Sequence, residues 1–465
     1  MGLRLRVLAA GSALAFAACS GGGASTAGAV TPARGDTLKR HGTSGPITHV
    51  VVMIQENRSF DNLFATYPGA DGATQGLMKT PSGSEEYVPL MAVKLAEICD
   101  FGHRRDGFLK EYDRGMMDGF GLEGGGGRCK GPAGLKIYQY VDPSQIAPYW
   151  DIANQYVLAD HMFQTQGSGS FTAHQDLIAG GTTINAQQTK SLVDYPSGTP
   201  WGCDAPKRTQ TSTLTWTGVK LKYGYHKGPF PCMSYTTLRD LLDAHSVSWK
   251  YYSPPVTGGT GGGLWNAFDA ISAVRYGPEW DANVTSDPND IFNDISGNAL
   301  PAVSWVVPER ENSDHPNTGT DDGPSWVASV VNAVGQSPYW QNTAVIVVWD
   351  DWGGFYDHEP PPFFDNWGGL GFRVPMLVVS AYARIGSGSQ GGYVSHTQYE
   401  FGSVLKFVED TFGLGRIGTT DVRAASIADV FDYSQQARSF ARIPSSRSRA
   451  YFRHHRPSHR PVDDE

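Results

Sequence analysis

Long basic runs are absent from this 465-residue chain, whose net charge is −9. Both facts exclude the electrostatic footprint of a nucleic-acid binder. The one short basic stretch, RHHRPSHR at Arg453 to Arg460, reads as a solvated terminus. The apolar run near the N-terminus, Val7 to Ala18, is too short to span a bilayer. No internal repeat is visible. Charged residues make up only 18% of the chain against 40% hydrophobic, which excludes a disordered protein and leaves enough apolar material for one large core or two smaller ones.

Cysteine is scarce as well, with five in all. The first lies at the end of an export signal: Arg4 and Arg6, the apolar run, then Ala17-Ala18-Cys19. Followed by the flexible stretch SGGGASTAG, this N-terminus resembles a bacterial lipoprotein signal, in which Cys19 would carry lipid and give membrane attachment; plain cleavage and release is the alternative. Residues 1–19 are thus read as signal and 20–45 as a Gly/Ser/Thr/Ala linker. Cys99, Cys129, Cys203 and Cys232 remain, an even number in an exported chain, where thiols become disulfides. Pairing sequence neighbours, Cys99 with Cys129 and Cys203 with Cys232, closes the shortest loops.

What the chain does have in abundance is buried strand ending in chemistry. Thr343 to His358 reads TAVIVVWDDWGGFYDH: six apolar residues without polar alternation, as a strand buried on both faces requires, then two adjacent carboxylates, Asp350 and Asp351. Carboxyl ends of strands in open α/β sheets form the ligand crevice. Adjacent carboxylates repel, and a shared divalent cation relieves the repulsion, so the pair reads as a metal site. His49 to Ile54 repeats the pattern and ends in Glu56 and Asn57, an anionic and a neutral oxygen suited to a divalent metal. The segment Ile146 to Met162 alternates helical periodicity with a short strand, and further core strands are expected at Val247 to Tyr252, Ala302 to Val307 and Val374 to Ser380. Helices are expected at Asp176 to Gly180, Thr236 to Ala244, Ser325 to Val334 and Thr397 to Phe412. Gly-rich stretches, foremost Pro68 to Gly134, read as insertions forming a lid over the strand ends. The expectation is an α/β catalytic domain over 46–431, with a disordered tail from 432 to 465.

Several of these strand ends carry functional groups. The loop Gly167-Ser168-Gly169-Ser170 feeds a helix N-terminus, where unpaired N–H groups and the dipole favour phosphate and a developing alkoxide. His315 follows another strand, His358 follows the acidic pair, and His103 lies in the first insertion. If the strands are parallel these groups converge on one edge. Carboxylates and an amide would then hold a cation, and a serine hydroxyl bound to that cation would become a nucleophile. In-line displacement at phosphorus also needs charge neutralisation and a proton for the leaving group, for which His315 and His358 are the candidates.

Five motifs, in order, carry a resemblance: ENRSFDN at Glu56 to Asn62, MDGF at Met117 to Phe120, SFTAHQ at Ser170 to Gln175, SDHP at Ser313 to Pro316 and DDWGGFYDH at Asp350 to His358. Over roughly Ile47 to Leu414 the chain resembles the bacterial phosphoesterase family of acid phosphatases and phosphatidylcholine-cleaving phospholipases C. The resemblance implies an alkaline-phosphatase-like fold, a mostly parallel sheet sandwiched by helices. It implies that Glu56, Asn57, Asp350 and Asp351 ligate a divalent metal ion of unknown identity, with Ser170 as nucleophile and His103, His315 and His358 on the phosphate and leaving-group side. The substrate would be a phosphate ester or phospholipid headgroup. Where the family loop often reads Gly-Pro-Ser/Thr, this chain has Ser168-Gly169 before Ser170, so Ser168 stays open as the nucleophile.

Three rivals are weighed. A sulfatase needs Cys or Ser two residues before Pro and four before Arg, and CDAPKR at Cys203 to Arg208 misses that spacing by one. A glycoside hydrolase needs two separated carboxyls and no Ser loop. An inactive surface-anchored binding lipoprotein of the same fold predicts no metal and no turnover.

Overall fold

The computed structural model describes residues 45–125, 130–257, 261–363 and 367–455. The signal, the linker up to residue 44 and Cys19 lie outside them, as does Cys129.

Seven consecutive buried residues make β6 (Thr343–Trp349). Apolarity on both faces leaves such a strand no place but the middle of a sheet. It pairs in parallel with β1 (His49–Gln55), equally buried, from His49 opposite Thr343 to Gln55 opposite Trp349. The other strands are β2 (Val157–Ala159), β3 (Trp249–Tyr252), β4 (Val284–Thr285), β5 (Val303–Val306), β7 (Met376–Ser380) and β8 (Tyr393–Ser395). Their spatial order is β4-β3-β5-β1-β6-β7-β2-β8. Only β7 runs against the rest, antiparallel to both β6 and β2. The ends of β1, β2, β5 and β6 therefore share one edge, the condition on which convergence of the functional groups depends.

Helices flank this sheet in two packed groups. α2 (Ala147–Gln155) packs with α4 (Gly323–Gly335), and α3 (Ser170–Ala179) packs with α5 (Phe401–Phe412). The expected α/β fold with a mostly parallel sheet sandwiched by helices is the observed one. Differences lie at element ends. α5 starts at Phe401, where its apolar spacing begins and later than the expected Thr397, because Tyr399 and Glu400 bridge to Met162 and Phe163 and Glu400 then caps the helix reciprocally with Ser403. α3 starts at Ser170, six residues earlier than the expected helix, and stops at Gly180, whose φ of 66° is the left-handed cap.

The first insertion carries small two-stranded sheets and α1 (Arg105–Tyr112). It is fastened to the loop after β6: Trp352 Nε1 donates to Glu111 Oε2 at 2.8 Å, and the Phe101 and Phe355 rings meet edge to face at 5.6 Å. A second insertion, a three-stranded antiparallel sheet over residues 190–224, lies beside the Cys203–Cys232 disulfide, the second of the two expected pairings. Trp201 and Trp265 are buried, and Trp216 is partly buried.

The expected disordered tail is corrected for residues 432–455. Ile443 and Phe452 are buried in the main core, and the Ile443 backbone exchanges two hydrogen bonds with the Asn332 side chain on α4. Single apolar residues spaced along an otherwise polar stretch give no periodicity to read.

Candidate active site

The edge where β1 and β6 end carries the acidic groups. Asp350, immediately after β6, accepts the Asn57 backbone N–H on Oδ1 at 2.9 Å. Asn57 holds a left-handed φ of 57°, a conformation asparagine tolerates better than most residues. That turn is possible because Gly353 passes against it: a Cβ there would sit 2.4 Å from the Asn57 carbonyl oxygen.

Ser170, the first residue of α3, donates from Oγ to Asp351 Oδ2 at 2.9 Å. Asn57 Nδ2 reaches Ser170 Oγ at 3.4 Å and His103 Nε2 at 2.8 Å. His103 Nδ1 faces the Phe101 carbonyl at 2.8 Å. That bond makes Nδ1 the donor and leaves Nε2 to accept from Asn57. His103 Nε2 also lies 3.7 Å from Asp351 Oδ2. Glu56, Asn57, Ser170, Asp350, Asp351 and His103 are thus gathered in one buried cluster, none more than 4% exposed.

Sequence reasoning missed one member. His174 lies four residues after Ser170 on the same face of α3, and its Nε2 is 3.0 Å from Glu56 Oε1 and 3.8 Å from Asp350 Oδ2. The helical i, i+4 spacing inside SFTAHQ was the available signal.

Ser168 is brought in differently. Its Oγ accepts the Asp194 backbone N–H at 2.7 Å and its carbonyl accepts from Gln164 Nε2 at 2.9 Å, bonds that hold the loop and turn the hydroxyl from the carboxylates. His315 packs its ring against Trp265 at 5.7 Å, with Nδ1 on the Pro316 carbonyl at 2.8 Å. His358 is a correction. Expected on the phosphate side, it is instead held by Asp61 Oδ2 at 2.7 Å and Asp71 Oδ1 at 3.3 Å. The YDHEPPP stretch turns its ring toward the root of the first insertion.

Burial dominates the electrostatics. It pushes the Asp350 and Asp351 carboxyls up to about 7, with Asp351 adding to the shift of Asp350. Burial, then the Asp350 charge, pushes Glu56 well above its ordinary range. The same desolvation pulls the imidazoles of His174 and His315 down to about 3, keeping both neutral. Among the described residues, three buried acidic side chains and neutral imidazoles leave no permanent positive charge in the cluster, so its carboxyls are ionised at low cost only with a bound cation.

The donor set fits a divalent cation. Glu56 Oε2, Asn57 Oδ1 and Asp350 Oδ2 are buried oxygens without a hydrogen-bond partner among the described residues, and the carboxylates of Glu56 and Asp350 stand with a His174 nitrogen within 4.8 Å of one another. Orphaned buried oxygens of this kind are costly unless an ion takes them.

A family model described as "Phosphoesterase family" matches residues 47–415. A relative named phospholipase C B, from Mycobacterium tuberculosis, is 26% identical over 88% of this chain and 82% of its own length. A non-hemolytic phospholipase C from Burkholderia pseudomallei is 24% identical over 91% of this chain, which spans only 64% of that relative. Among solved structures, a protein in the alkaline phosphatase superfamily from Vibrio parahaemolyticus superposes with a TM-score of 0.37 at 10% identity, covering 84% of this chain and 74% of its own.

Proposed function

The chain belongs to the phosphoesterase family, and we propose that it is an exported, metal-dependent enzyme that hydrolyses phosphate esters, phospholipid headgroup esters foremost, through Ser170. The observation that carries this reading is the Ser170 hydroxyl bonded to Asp351 at 2.9 Å, at the N-terminus of a buried helix and beside orphaned oxygens.

Glu56, Asn57, Asp350 and Asp351 would hold the cation, together with the Ser170 hydroxyl. A bound divalent ion would supply Lewis-acid stabilisation of negative charge on the nucleophile and on phosphate oxygens. Asp351 would take the Ser170 proton as Oγ bonds to phosphorus and the bond from phosphorus to the leaving alcohol breaks, the alcohol oxygen taking up a proton; with a diester the headgroup phosphoryl stays on Ser170 until water cleaves it. The first N–H groups of α3 face that charge with the positive end of the helix dipole. Asn57, fixed by its backbone bond to Asp350, keeps its side chain between Ser170 and His103. His103 and His315 line the leaving-group side, where the departing oxygen would need an imidazole protonated at Nε2. His174 positions Glu56 through its 3.0 Å contact.

Export is supported by the N-terminal signal pattern and by the Cys203–Cys232 disulfide; attachment through a lipidated Cys19 is part of the same reading. The names borne by the relatives favour a phosphodiester, the headgroup ester of phosphatidylcholine or a similar lipid, over a simple monoester. The test is hydrolysis of p-nitrophenylphosphorylcholine and p-nitrophenyl phosphate by the same preparation before and after chelation. Chelation-sensitive turnover that prefers the choline ester supports the proposal, and preference for the monoester moves the reading to a phosphatase. No turnover of either ester, with no metal in the protein, would replace it with a binding protein of this fold.

A further inference from the structure

A second set of metal-ligating side chains stands apart from the Ser170 cluster. His161 follows β2, His358 lies in the loop after β6, and His396 follows β8, so the shared sheet edge brings three imidazoles together. Each has its Nδ1 fixed by a fully buried carboxylate: His161 on Asp160 Oδ1, His396 on Asp160 Oδ2 and His358 on Asp61 Oδ2, all at 2.7 Å. Metal-binding histidines are commonly oriented in this way, the carboxylate fixing ring and tautomer while the other nitrogen is presented. Two of the presented nitrogens face one carboxylate. Asp71 Oδ1 is 3.3 Å from His358 Nε2, and Asp71 Oδ2 is 3.4 Å from His161 Nε2. Glu359 brings a second carboxylate, and donor atoms of Asp71, His358 and Glu359 all lie within 4.8 Å of one another.

These contacts are ion pairs at the long end of the range. The same rings hold their Nδ1 partners at 2.7 Å, the ordinary length of a charge-assisted bond, whereas the Nε2 contacts to Asp71 are longer. A tetrahedral ion with bonds of about 2.0–2.2 Å holds its ligand atoms roughly 3.3 Å apart. Charge points the same way. Arg373 is the guanidinium paired with this network: it is 2.8 Å from Asp357 and 3.4 Å from Asp61, donates to the Asp71 carbonyl at 2.8 Å and lies 3.2 Å from His358 Nδ1, with the Asp71 carboxylate 3.9 Å away. Asp61, Asp71, Asp160, Asp357 and Glu359 thus outnumber that one permanent positive charge.

We propose that His358, Asp71 and Glu359 form a second divalent-cation site, of the nitrogen-and-oxygen type that zinc favours, with His161 as the neighbouring donor on the other Asp71 oxygen. The site stands independently of the chemistry assigned to Ser170. It joins residues 287 apart in the chain, tying the root of the first insertion to the loop that leaves β6. An ion there would fix the insertion over the strand ends rather than take part in ester cleavage.

The test titrates chelator-stripped full-length protein with Co2+ as a spectroscopic stand-in for Zn2+, using wild type, Asp71→Asn, His358→Gln and Asp350→Asn. Wild type is expected to bind one more Co2+ per chain than Asp71→Asn or His358→Gln, with the visible absorption of a nitrogen-ligated ion. Asp350→Asn, altered only at the other cluster, is expected to keep that ion and its spectrum, and Zn2+ should raise its melting temperature. Asp71→Asn, whose carboxylate is partly exposed, carries the test if His358→Gln does not fold. Equal Co2+ stoichiometry in wild type and Asp71→Asn, or loss of every bound ion in Asp350→Asn, would overturn the proposal.

Discussion

Replacing Gly353 by alanine should damage the Ser170 site from outside it. Gly353 has φ 61°, and a Cβ placed there would lie 2.4 Å from the Asn57 carbonyl oxygen, a backbone atom that cannot swing aside. Ordinary contact begins at 3.4 Å, so Asn57 or the loop after Asp351 must retreat by about 1 Å. The left-handed φ adds roughly 1–2 kcal/mol of strain, and the overpacking about as much again. Most of that cost is expected to appear as displacement of Asn57, whose N–H is held by Asp350 and whose side chain touches Ser170 and His103. A misplacement of that size at a reacting centre costs on the order of 10²-fold in rate. The assay is kcat on p-nitrophenylphosphorylcholine alongside a thermal melt, with Gly83→Ala as control. Gly83 also has positive φ, 86°, but nothing lies within 4 Å of its added Cβ, so it should lose a little stability and no activity. Wild-type turnover in folded Gly353→Ala would refute the coupling between this glycine and the Asn57 turn.

The same geometry sets other outcomes. His174→Gln should weaken metal affinity by roughly 10- to 100-fold, read by competition with a chromophoric chelator. Ser168→Ala should keep turnover while losing about 1 kcal/mol of stability with the bond to the Asp194 N–H, measured by denaturant unfolding. Glu309 is held up to about 8 by burial, reinforced by Asp287 and Glu311. The folded state therefore binds its proton more tightly than the unfolded chain. Its contribution is fully present below the unfolded carboxyl pKa and is lost as pH rises through about 8, a swing of at most about 5 kcal/mol. Glu309→Gln should accordingly flatten the fall in melting temperature between pH 5 and pH 9, by calorimetry.

The parts of this site legible in the sequence are those where burial and chemistry meet at one point of the chain. Two unbroken apolar runs announce β1 and β6, and the polar pairs just beyond them, Glu56-Asn57 and Asp350-Asp351, have to lie at a sheet edge. Whether those edges coincide depends on strand direction, which no local pattern records; β7, as apolar as its neighbours, runs the other way. His358 is misplaced by sequence reasoning for a related reason. It sits seven residues beyond Asp351, but Gly353, Gly354 and the prolines after it carry the chain toward Asp61 and Asp71. His174 escapes notice because the expected helix begins after it, hiding the shared face with Ser170. Packing of Ile443 and Phe452 depends on a groove built by residues a hundred positions earlier.

The most direct test of Ser170 as the nucleophile is to trap it. Metal-loaded protein mixed with p-nitrophenylphosphorylcholine, acid-quenched during turnover and mapped by mass spectrometry should carry one phosphoryl-bearing group on the peptide containing Ser170, and Ser170→Ala should carry none and turn over no substrate. An unmodified Ser170 peptide together with undiminished turnover in Ser170→Ala would contradict the account.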